Sequence, residues 1–505
     1  MNTIEAEPPE TVKVPISPAD ASNGHPKAPR KKAPSVAPQK AKPRAIHKQI
    51  STEVPYLSQA ERRAEGKKLR DVVTRASHRG WSPDKNRRDP VDIVLAQDKD
   101  RLPELVPIRH GRMLESPFAF YRGTAAIMAA DLAHTPTSGL RVQACGDAHL
   151  SNFGGFATPE RNVIFDINDL DETLPAPWEW DLKRLTASFV VAGRHIQLKQ
   201  RESARAARAA VRSYREHMAE YGFMKVLDVW YDKIDLQRLM DSVPSKKERA
   251  YIARRLEKTR KRTVAEHDFP KLAEQVGSTP RIKDNPPLIF HPPFLQKSID
   301  SGSFDAAWEN YRESLPDHIR TLFDRFHRCD AAVKVVGVGS VGTVCAIMLF
   351  MAADDDPLFL QIKQAHTSVL EPYAGKSPYS NHGQRVVVGQ RLVQSASDIF
   401  LGWGIGSQQR HYYVRQLRDM KISADIESMD ADFLRRYAEV CGWALARAHA
   451  RTGDPAMIAG YIGSSKVFDE AICDFAFDYG DQAERDYKAF VKAFRDGRFE
   501  AVTED

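Results

Sequence analysis

Residues 141–188 place polar side chains directly after short apolar patterns rich in β-branched residues. A strand is predicted over residues 142–145 and breaks at Gly146, where a short polar loop begins. A second strand is predicted over residues 162–165 and runs into Asp166. We expect the two strands to be neighbours, so that the polar groups that follow them converge on one site. The remaining helices and strands are then expected to surround this site.

Four side chains of this segment have the order and spacing of a catalytic segment: Asp147, His149, Asn152 and Asp166. Asn152 comes five positions after Asp147, and Asp166 comes fourteen positions after Asn152. In kinase-type phosphotransferases the first Asp accepts the proton of the acceptor hydroxyl, the Asn binds metal, and the later Asp bridges metal and phosphates. The spacing predicts these roles here. His149 is expected to hold the loop by hydrogen bonding rather than to bind metal.

A glycine-rich pattern lies far along the chain, where Gly337, Gly339 and Gly342 satisfy G-x-G-x-x-G. Dinucleotide-binding folds share this string, but there a helix begins after the pattern and an acid follows about twenty residues later. Here an apolar strand pattern follows, and the residue twenty-one places after Gly342 is Lys363. A glycine-rich turn lets backbone N–H groups approach phosphates, and a strand-borne Lys neutralises them. We therefore expect a nucleotide-phosphate clamp that includes Ser340.

An acid that orients the lysine is expected in a kinase-type small lobe. Glu371 is the candidate, because it lies eight residues after Lys363, whereas the predicted helix over residues 383–396 contains no acid. Either Glu371 or no acidic partner is therefore expected for Lys363. A simpler interpretation of the region is a tight hairpin with Lys363 reaching solvent.

The predicted elements change type twice along the chain. Helices are expected from a capping box at Ser58 onwards, including single helices over residues 116–133 and 180–222. Past the middle of the chain a strand, the glycine-rich turn, two strands, a helix and two strands follow one another. Helices return over residues 431–450 and 468–494. Strands clustered between helical stretches indicate an α+β protein.

Two resemblances emerge from these motifs. The segment GDAHLSN, with the apolar strand, Asp166 and Asp181-Leu182 that follow it, resembles the catalytic segment of aminoglycoside phosphotransferases in the protein-kinase-like superfamily. Five stretches, GDAHLSNFG, FDINDLDET, PWEWDLKRL, VVGVGSVGT and DIFLGW, together resemble the uncharacterised bacterial DUF2252 family, over most of the chain after about residue 55. The kinase resemblance implies that the protein uses ATP or another nucleoside triphosphate together with Mg²⁺ or Mn²⁺. It also implies a hydroxyl-bearing small molecule or protein as the phosphate acceptor.

The kinase resemblance also implies a two-lobe fold in circularly permuted order, because the glycine-rich turn at Gly337 follows Asp147 by 190 residues instead of preceding it. A helix-rich large lobe and a small antiparallel-sheet lobe are expected. The domain organisation this implies is as follows: residues 1–52 a disordered tail, 53–330 a large-lobe segment with the catalytic loop, 331–423 the small nucleotide-binding lobe, and 424–505 C-terminal helices that complete the large lobe.

Two other functions fit parts of the pattern. A metal-dependent hydrolase could use Asp147, His149, Asp166 and Asp169, but it gives no role to the glycine-rich turn or to Lys363. A non-catalytic nucleotide-binding protein, a pseudokinase, would bind nucleotide without transferring phosphate. A calcium loop at DINDLD is disfavoured, because a leucine takes a ligand position and the required glycine is absent.

The basic charge of the chain is concentrated at its start. Of the net +7, residues 1–52 contribute +5, from nine Lys/Arg and four Asp/Glu. This Pro-rich composition predicts a disordered tail with at most weak, salt-sensitive contact with nucleic acid or anionic lipid. Residues 246–262, with nine Lys/Arg and two Glu, are more simply a solvated helix than a nucleic-acid surface.

The sequence contains no uninterrupted apolar run of about 18 residues, so no membrane span is predicted. The sequence shows no basic stretch followed by an apolar stretch of the kind found in secretory leaders, so secretion is not predicted. The five cysteines are widely spaced among apolar residues, as expected of reduced core cysteines. Together these features predict a cytoplasmic protein.

Removal of residues 1–50 is expected to leave folding and nucleotide affinity unchanged, because this stretch lacks core-forming residues. Thermal unfolding and nucleotide titration of the truncated and full-length chains measure both properties. Loss of soluble expression or of nucleotide binding on truncation would contradict the expectation. Any nucleic-acid binding should weaken with the truncation and with added salt.

Overall fold

The structure is a computed structural model that describes residues 57–502 with a series of short gaps. The gaps are residues 244, 261–268, 278, 294, 296, 298–302, 336, 338–340, 355 and 418–420. The basic stretch of residues 1–52, and Gly339 and Ser340 of the glycine-rich turn, lie outside the described residues.

The helices flank the strand-rich part of the chain. Before it lie α1 (Gln59–Lys68), α2 (Pro90–Asp98), α3 (Val106–Leu114), α4 (Pro117–Arg122), α5 (Ala125–Leu132), α6 (Trp178–His195), α7 (Gln200–Tyr221), α8 (Val226–Tyr231), α9 (Leu236–Ser242), α10 (Lys246–Arg260), α11 (Phe269–Leu272), α12 (Ser303–Ser314) and α13 (Asp317–Phe323). Within it and after it lie α14 (Glu371–Ala374), α15 (His382–Val393), α16 (Ala431–Thr452), α17 (Pro455–Ile462) and α18 (Val467–Arg495).

The strands form several separate antiparallel sheets. In chain order they are β1 (Arg141–Ala144), β2 (Phe153–Ala157), β3 (Val163–Ile167), β4 (Leu174–Pro177), β5 (Ile234–Asp235), β6 (Ala273–Val276), β7 (Thr279–Ile282), β8 (Ile289–Phe290), β9 (His327–Lys334), β10 (Cys345–Met351), β11 (Pro357–Gln364), β12 (Gly402–Ile405), β13 (His411–Gln416) and β14 (Ile422–Ser423). Their orders are β1-β4, β12-β13-β11-β10-β9-β8, β14-β2-β3-β5 and β6-β7.

The six-stranded sheet, called the large sheet below, is antiparallel throughout. Its strand β10 is apolar and buried along its whole length, as expected of a strand covered on both faces. Trp308 and Tyr311 of α12 and Phe323 of α13 form an aromatic cluster with Phe350 of β10. α15 packs on β12 and β13, and Val387 belongs to the apolar cluster there. Helices α12 and α13 thus pack on one face of the large sheet, and β6 and β7 contribute to the apolar cluster on the other.

The polar segment of residues 141–188 lies on the two smaller sheets around β1 to β4. β2 pairs with β3, and β1 pairs with β4, all in antiparallel fashion. After β13 the chain leaves the large sheet and joins β2 through the two-residue strand β14. The polar segment is thereby connected to the large sheet along the chain as well as by packing.

α6, α7, α16 and α18 form a helical body around the most extensive apolar cluster. Trp178 of α6 stacks on Tyr214 of α7, with ring centroids 5.6 Å apart. α7 and α16 approach so closely that a Cβ added at Gly442 of α16 would overlap the carbonyl oxygen of Ala210 in α7. The small residues at this crossing permit the close approach.

The α+β class is confirmed, and so is the capping box at Ser58, which forms with Glu61. Two predicted single helices were wrong, because each is a pair of helices. Residues 116–133 break at Gly123, and residues 180–222 break between α6 and α7. At the second break Gln197 has a φ of +59°, which residues of a right-handed helix do not adopt. The apolar pattern of the sequence does not reveal such a change in backbone conformation.

Within the described part of the chain, no helix has both the length and the apolar character that a membrane crossing requires.

Replacing Gly442 with alanine is expected to destabilise the protein by about 1–3 kcal/mol, because the new methyl group must push α7 and α16 apart at a backbone atom. Gly480→Ala in α18 is the matched control, since its Cβ would meet only side-chain atoms of Val190 and Arg194, the nearest at 3.1 Å. Chemical denaturation measures both free energies of unfolding. Equal losses in the two variants would contradict a backbone overlap at Gly442.

Candidate functional site

The loop after β1 is fixed by hydrogen bonds from its backbone to Asp181 of α6. The N–H groups of Cys145 and Gly146 donate to the two carboxylate oxygens of Asp181, at 2.6 and 3.0 Å. Gly146 has a φ of +81°, and a Cβ there would overlap the Glu172 carbonyl, so this position requires glycine. The turn that leads into Asp147 therefore has a defined course.

Asp147 is held by Arg184 of α6, whose Nε and Nη2 lie 2.6 and 2.5 Å from its Oδ1. Burial raises the pKa of Asp147 above its ordinary value, although Arg184 and Arg122 oppose the shift. The side chain is still 21% exposed, so it is accessible to a bound molecule. A positioned carboxylate with a raised pKa is suited to accept a proton.

His149 and Asn152 belong to the same loop. Nε2 of His149 lies 3.7 Å from Oδ2 of Asp147. Burial, helped by Arg184 and Arg122, lowers the pKa of His149 well below its ordinary value, so the ring is neutral. Its Nδ1 has no hydrogen-bond partner among the described residues. Nδ2 of Asn152 donates to the Asp147 carbonyl at 2.8 Å, so Oδ1 is the atom that Asn152 can offer to a metal.

Asp166 takes part in a buried ion pair. Its Oδ1 lies 2.6 Å from Nη2 of Arg447 in α16, and neither side chain is exposed. Its Oδ2 accepts the N–H and the hydroxyl of Ser395, at 2.9 and 3.1 Å. These contacts join β3 to α16 and to the segment after α15. They occupy both carboxylate oxygens of Asp166, the residue predicted to bridge metal and phosphates.

Lys363 of β11 reaches the residues that follow β3. Its Nζ lies 2.6 Å from Oδ2 of Asp171 and 3.8 Å from Oδ2 of Asp169. Tyr413 of β13 donates its hydroxyl to the other oxygen of Asp171. Burial disfavours the charged lysine, but the two carboxylates outweigh burial and hold the pKa of Lys363 well above its ordinary range. This ion-pair cluster of Lys363, Asp169 and Asp171 connects the large sheet with the polar segment.

The two carboxylates of the ion-pair cluster differ in their surroundings. Burial alone would raise the pKa of Asp171, but Lys363 and the Tyr413 hydroxyl lower it to about 2. Burial, together with repulsion from Asp171, raises the pKa of Asp169. The Asp169 side chain is 34% exposed. Asp171 is therefore the partner of Lys363, whereas Asp169 can accommodate a further cation.

Glu371, the expected acidic partner of Lys363, lies beside His382 at the start of α15, with Oε1 3.7 Å from Nδ1. The acids beside Lys363 are Asp169 and Asp171, which follow Asp166 by three and five positions. From the sequence, Asp169 was a candidate ligand for a metal-dependent hydrolase and part of the disfavoured calcium loop, but not a partner of Lys363. The acid-rich string DINDLD was the available signal, but spacing alone does not tell which of its acids faces a distant lysine.

The glycine-rich turn is held at both ends by the segment around α3. Gly337 and Gly342 have φ values of +64° and +86°, which favour glycine. Arg112 of α3 donates to the Gly337 carbonyl, and the Leu102 N–H donates to the Gly342 carbonyl at 2.7 Å. Residues 338–340 lie outside the described residues. The described ends of the turn are therefore anchored to the helical part of the chain.

Two adjoining cavities bring these elements together. One, of about 1030 Å³, is lined by Asp147, Asn152, Asp169 and Gly337. The other, of about 350 Å³, is lined by Lys363 and shares Asp169 and Gly337 with the first. Among the residues that the structure describes, no group of three or more His, Cys, Asp or Glu side chains is arranged to hold a metal by itself. A metal at this site would draw on other oxygen atoms as well, such as those of Asn152, backbone carbonyls, water or a bound ligand.

Comparison with protein families matches residues 101–493 to a family described as an uncharacterized protein conserved in bacteria, DUF2252. The chain belongs to the DUF2252 family. The range matched by DUF2252 contains the loop of Asp147, the ion-pair cluster and the glycine-rich turn, so the whole candidate site belongs to the family domain. Neither the curated proteins nor the solved structures contain a match to the chain.

Glu172 is a further acid of the larger cavity, and no role was predicted for it. Its Oε2 accepts the N–H of Val369 at 2.8 Å. Burial raises the pKa of Glu172 to about 7, although Arg385 and this hydrogen bond oppose the shift. An acid that titrates near neutral pH only in the folded state makes stability depend on pH.

Glu172→Gln should change how stability varies with pH. In the wild type the folded-state pKa exceeds the value of about 4.3 in an unfolded chain, so stability falls as pH rises between the two values. Glu172→Gln should therefore match the wild type at about pH 4 and exceed it by about 1–2 kcal/mol at about pH 8, allowing for partial exposure of the side chain. Urea unfolding across this range measures the difference. A difference that does not change with pH would contradict the raised pKa.

Proposed function

We propose that this protein is a kinase-like phosphotransferase that uses ATP, or another nucleoside triphosphate, with Mg²⁺ or Mn²⁺ to phosphorylate a hydroxyl of a small molecule or protein. The position of Lys363 carries the proposal. It lies on a strand of the large sheet, yet pairs with Asp171, 192 residues earlier in the chain. In phosphoryl transfer such a lysine neutralises phosphate charge beside the metal-binding and catalytic carboxylates.

The smaller cavity is the proposed nucleotide site. It is lined by Lys334 of β9, Gln361 and Lys363 of β11 and Gln416 of β13, which are three strands of one sheet. Gly337, where the glycine-rich turn begins, lines it too. Backbone N–H groups of such a turn can approach phosphates closely because glycine has no side chain. The order from β9 to β13, with the turn, the lysine strand and a helix between, supports the proposal of a kinase-type small lobe.

Asn152 and Asp169 are the proposed metal ligands, and Asp169 replaces Asp166 in this role. Both line the larger cavity together with Asp147, whereas Asp166 is paired with Arg447. Mg²⁺ is commonly held by one or two carboxylates plus substrate phosphates, which fits a site without a complete set of protein ligands among the described residues. When bound, the metal neutralises charge on the phosphates.

Asp147 is proposed to accept the proton of the acceptor hydroxyl. Arg184 fixes its orientation, and its raised pKa makes it a better proton acceptor than an ordinary aspartate. His149, neutral and buried, supports the loop. The cavity of about 1030 Å³ beside Asp147 leaves room for an acceptor. General-base catalysis of this kind contributes typically about 10²–10⁴-fold.

The proposed architecture is a kinase-like two-lobe fold in circularly permuted order. Strands β9–β13 with α15 would form the small lobe, and the helices before and after them the large lobe. His449 of α16 lies 3.2 Å from Asp181, which holds the catalytic loop, so α16 supports the loop although it follows it in the chain. Core packing of this kind does not depend on chain order, and permutation is commonly tolerated.

Three substitutions separate the proposed roles. Lys363→Met should weaken nucleotide binding, because phosphate charge is no longer neutralised. Asp169→Asn should remove the metal dependence of that binding. Asp147→Asn should leave binding nearly intact and lower turnover on the order of 10²-fold or more. Isothermal titration calorimetry with ATP and Mg²⁺ measures binding, and phosphate transfer to a panel of hydroxyl compounds measures turnover.

Two controls accompany these variants. Lys376→Met removes an exposed lysine and should change neither property. Lys363→Arg keeps the positive charge beside Asp171. Thermal unfolding of every variant separates a loss of binding from a loss of folding. A folded Lys363→Met protein that binds ATP as tightly as the wild type would refute the proposal. A hydrolase would show no stabilisation by ATP, and a pseudokinase would bind ATP without transfer.

A further inference from the structure

A cavity of about 550 Å³ lies apart from the candidate site, between β2, α7, α9, α10 and α16. Much of its lining is apolar, including Leu236 and Leu239 of α9, Ile252 of α10, and Val440 and Trp443 of α16. The volume lies within the range of small-molecule sites, which are about 300–1,000 Å³ and lined mainly by apolar groups. The cavity therefore suits a ligand with a long apolar part.

The lining of this apolar cavity also includes more arginine than acidic side chains. Arg212 and Arg435 both pair with Glu439, at 2.5 and 2.8 Å, and Arg435 also lies 4.0 Å from Asp432. The lining as a whole contains four arginines and three acids, namely Arg212, Arg255, Arg435 and Arg436 against Glu216, Asp425 and Glu439. It therefore has an excess of one positive charge beside the apolar wall. Guanidinium groups bind carboxylates through paired hydrogen bonds, so an anionic head group fits here.

The apolar cavity shares a wall with the candidate site. Residues 421–429, called the linker below, follow the large sheet and lead to α16. Residues 423–425 of the linker line both the larger cavity beside Asp147 and the apolar cavity. The linker is paired with β2 over only two residues, at Ile422 and Ser423. A ligand in the apolar cavity would therefore contact a segment that borders the candidate site on its other side.

We propose that the apolar cavity binds an anionic amphiphile of the fatty-acid class. The alkyl chain lies against α9, α10 and α16, and the carboxylate lies at Arg212 and Arg435. The bound molecule holds the linker in place from the side opposite Asp147. Binding at this site does not require the phosphotransferase activity proposed above, so either proposal can fail without the other.

Decanoate titrated into the full-length protein tests the site by isothermal titration calorimetry, with hydrogen exchange of the backbone measured on the same samples. One decanoate should bind per chain and slow exchange in the linker. Val440→Trp fills the cavity and should weaken binding about tenfold or more. Val72→Trp, at a position 84% exposed on the surface, is the matched control and should bind decanoate as the wild type does.

Arg212→Gln tests the head group in a variant that leaves the apolar wall intact. It should weaken decanoate binding several-fold and leave binding of decanol, the uncharged analogue, unchanged. No binding of decanoate to the wild type, equal binding by a folded Val440→Trp protein, or protection from exchange only outside the linker would each overturn the proposal. If Val440→Trp does not fold, equal effects of Arg212→Gln on decanoate and decanol overturn the proposed head-group site.

Discussion

The buried contact between Lys363 and Asp171 joins the large sheet to the polar segment of residues 141–188. A lysine that is 2% exposed requires an acidic partner, because an isolated buried charge is strongly unfavourable. Asp171 supplies it, with Tyr413 on the other carboxylate oxygen. The charge of Lys363 is thus compensated where the large sheet meets the polar segment. Removing one partner of such a buried pair is strongly destabilising, because it leaves an uncompensated buried charge.

A second buried pair, between Asp166 and Arg447, does the same for the helical body. It connects β3 with α16 across 281 residues of sequence. Two acids close together in the chain thus fix two different neighbours, one in a helix and one in the large sheet. Asp169 lies between them in sequence and keeps a partly exposed carboxylate. This division leaves Asp169 available beside Asp147 and Asn152, where a phosphate-bound metal is proposed.

Local chemistry made part of this arrangement predictable. The capping box at Ser58, the α+β class and the strands before Asp147 and Asp166 follow from short-range patterns, and all appear in the structure. The partner of Lys363 does not, because acids lie at positions 166, 169 and 171 and only long-range packing decides which one faces β11. The break at Gln197 was not predicted because the apolar periodicity continues through the backbone turn.

Metal and nucleotide are proposed to bind jointly at the acids beside Lys363. Equilibrium dialysis of Mn²⁺ against the protein, with and without ATP, tests this joint binding most directly. Since the described residues offer few metal ligands, the protein should retain little Mn²⁺ alone and about one Mn²⁺ together with each ATP. Tight retention of Mn²⁺ that ATP does not change, or no retention of ATP in the presence of Mn²⁺, would contradict the account.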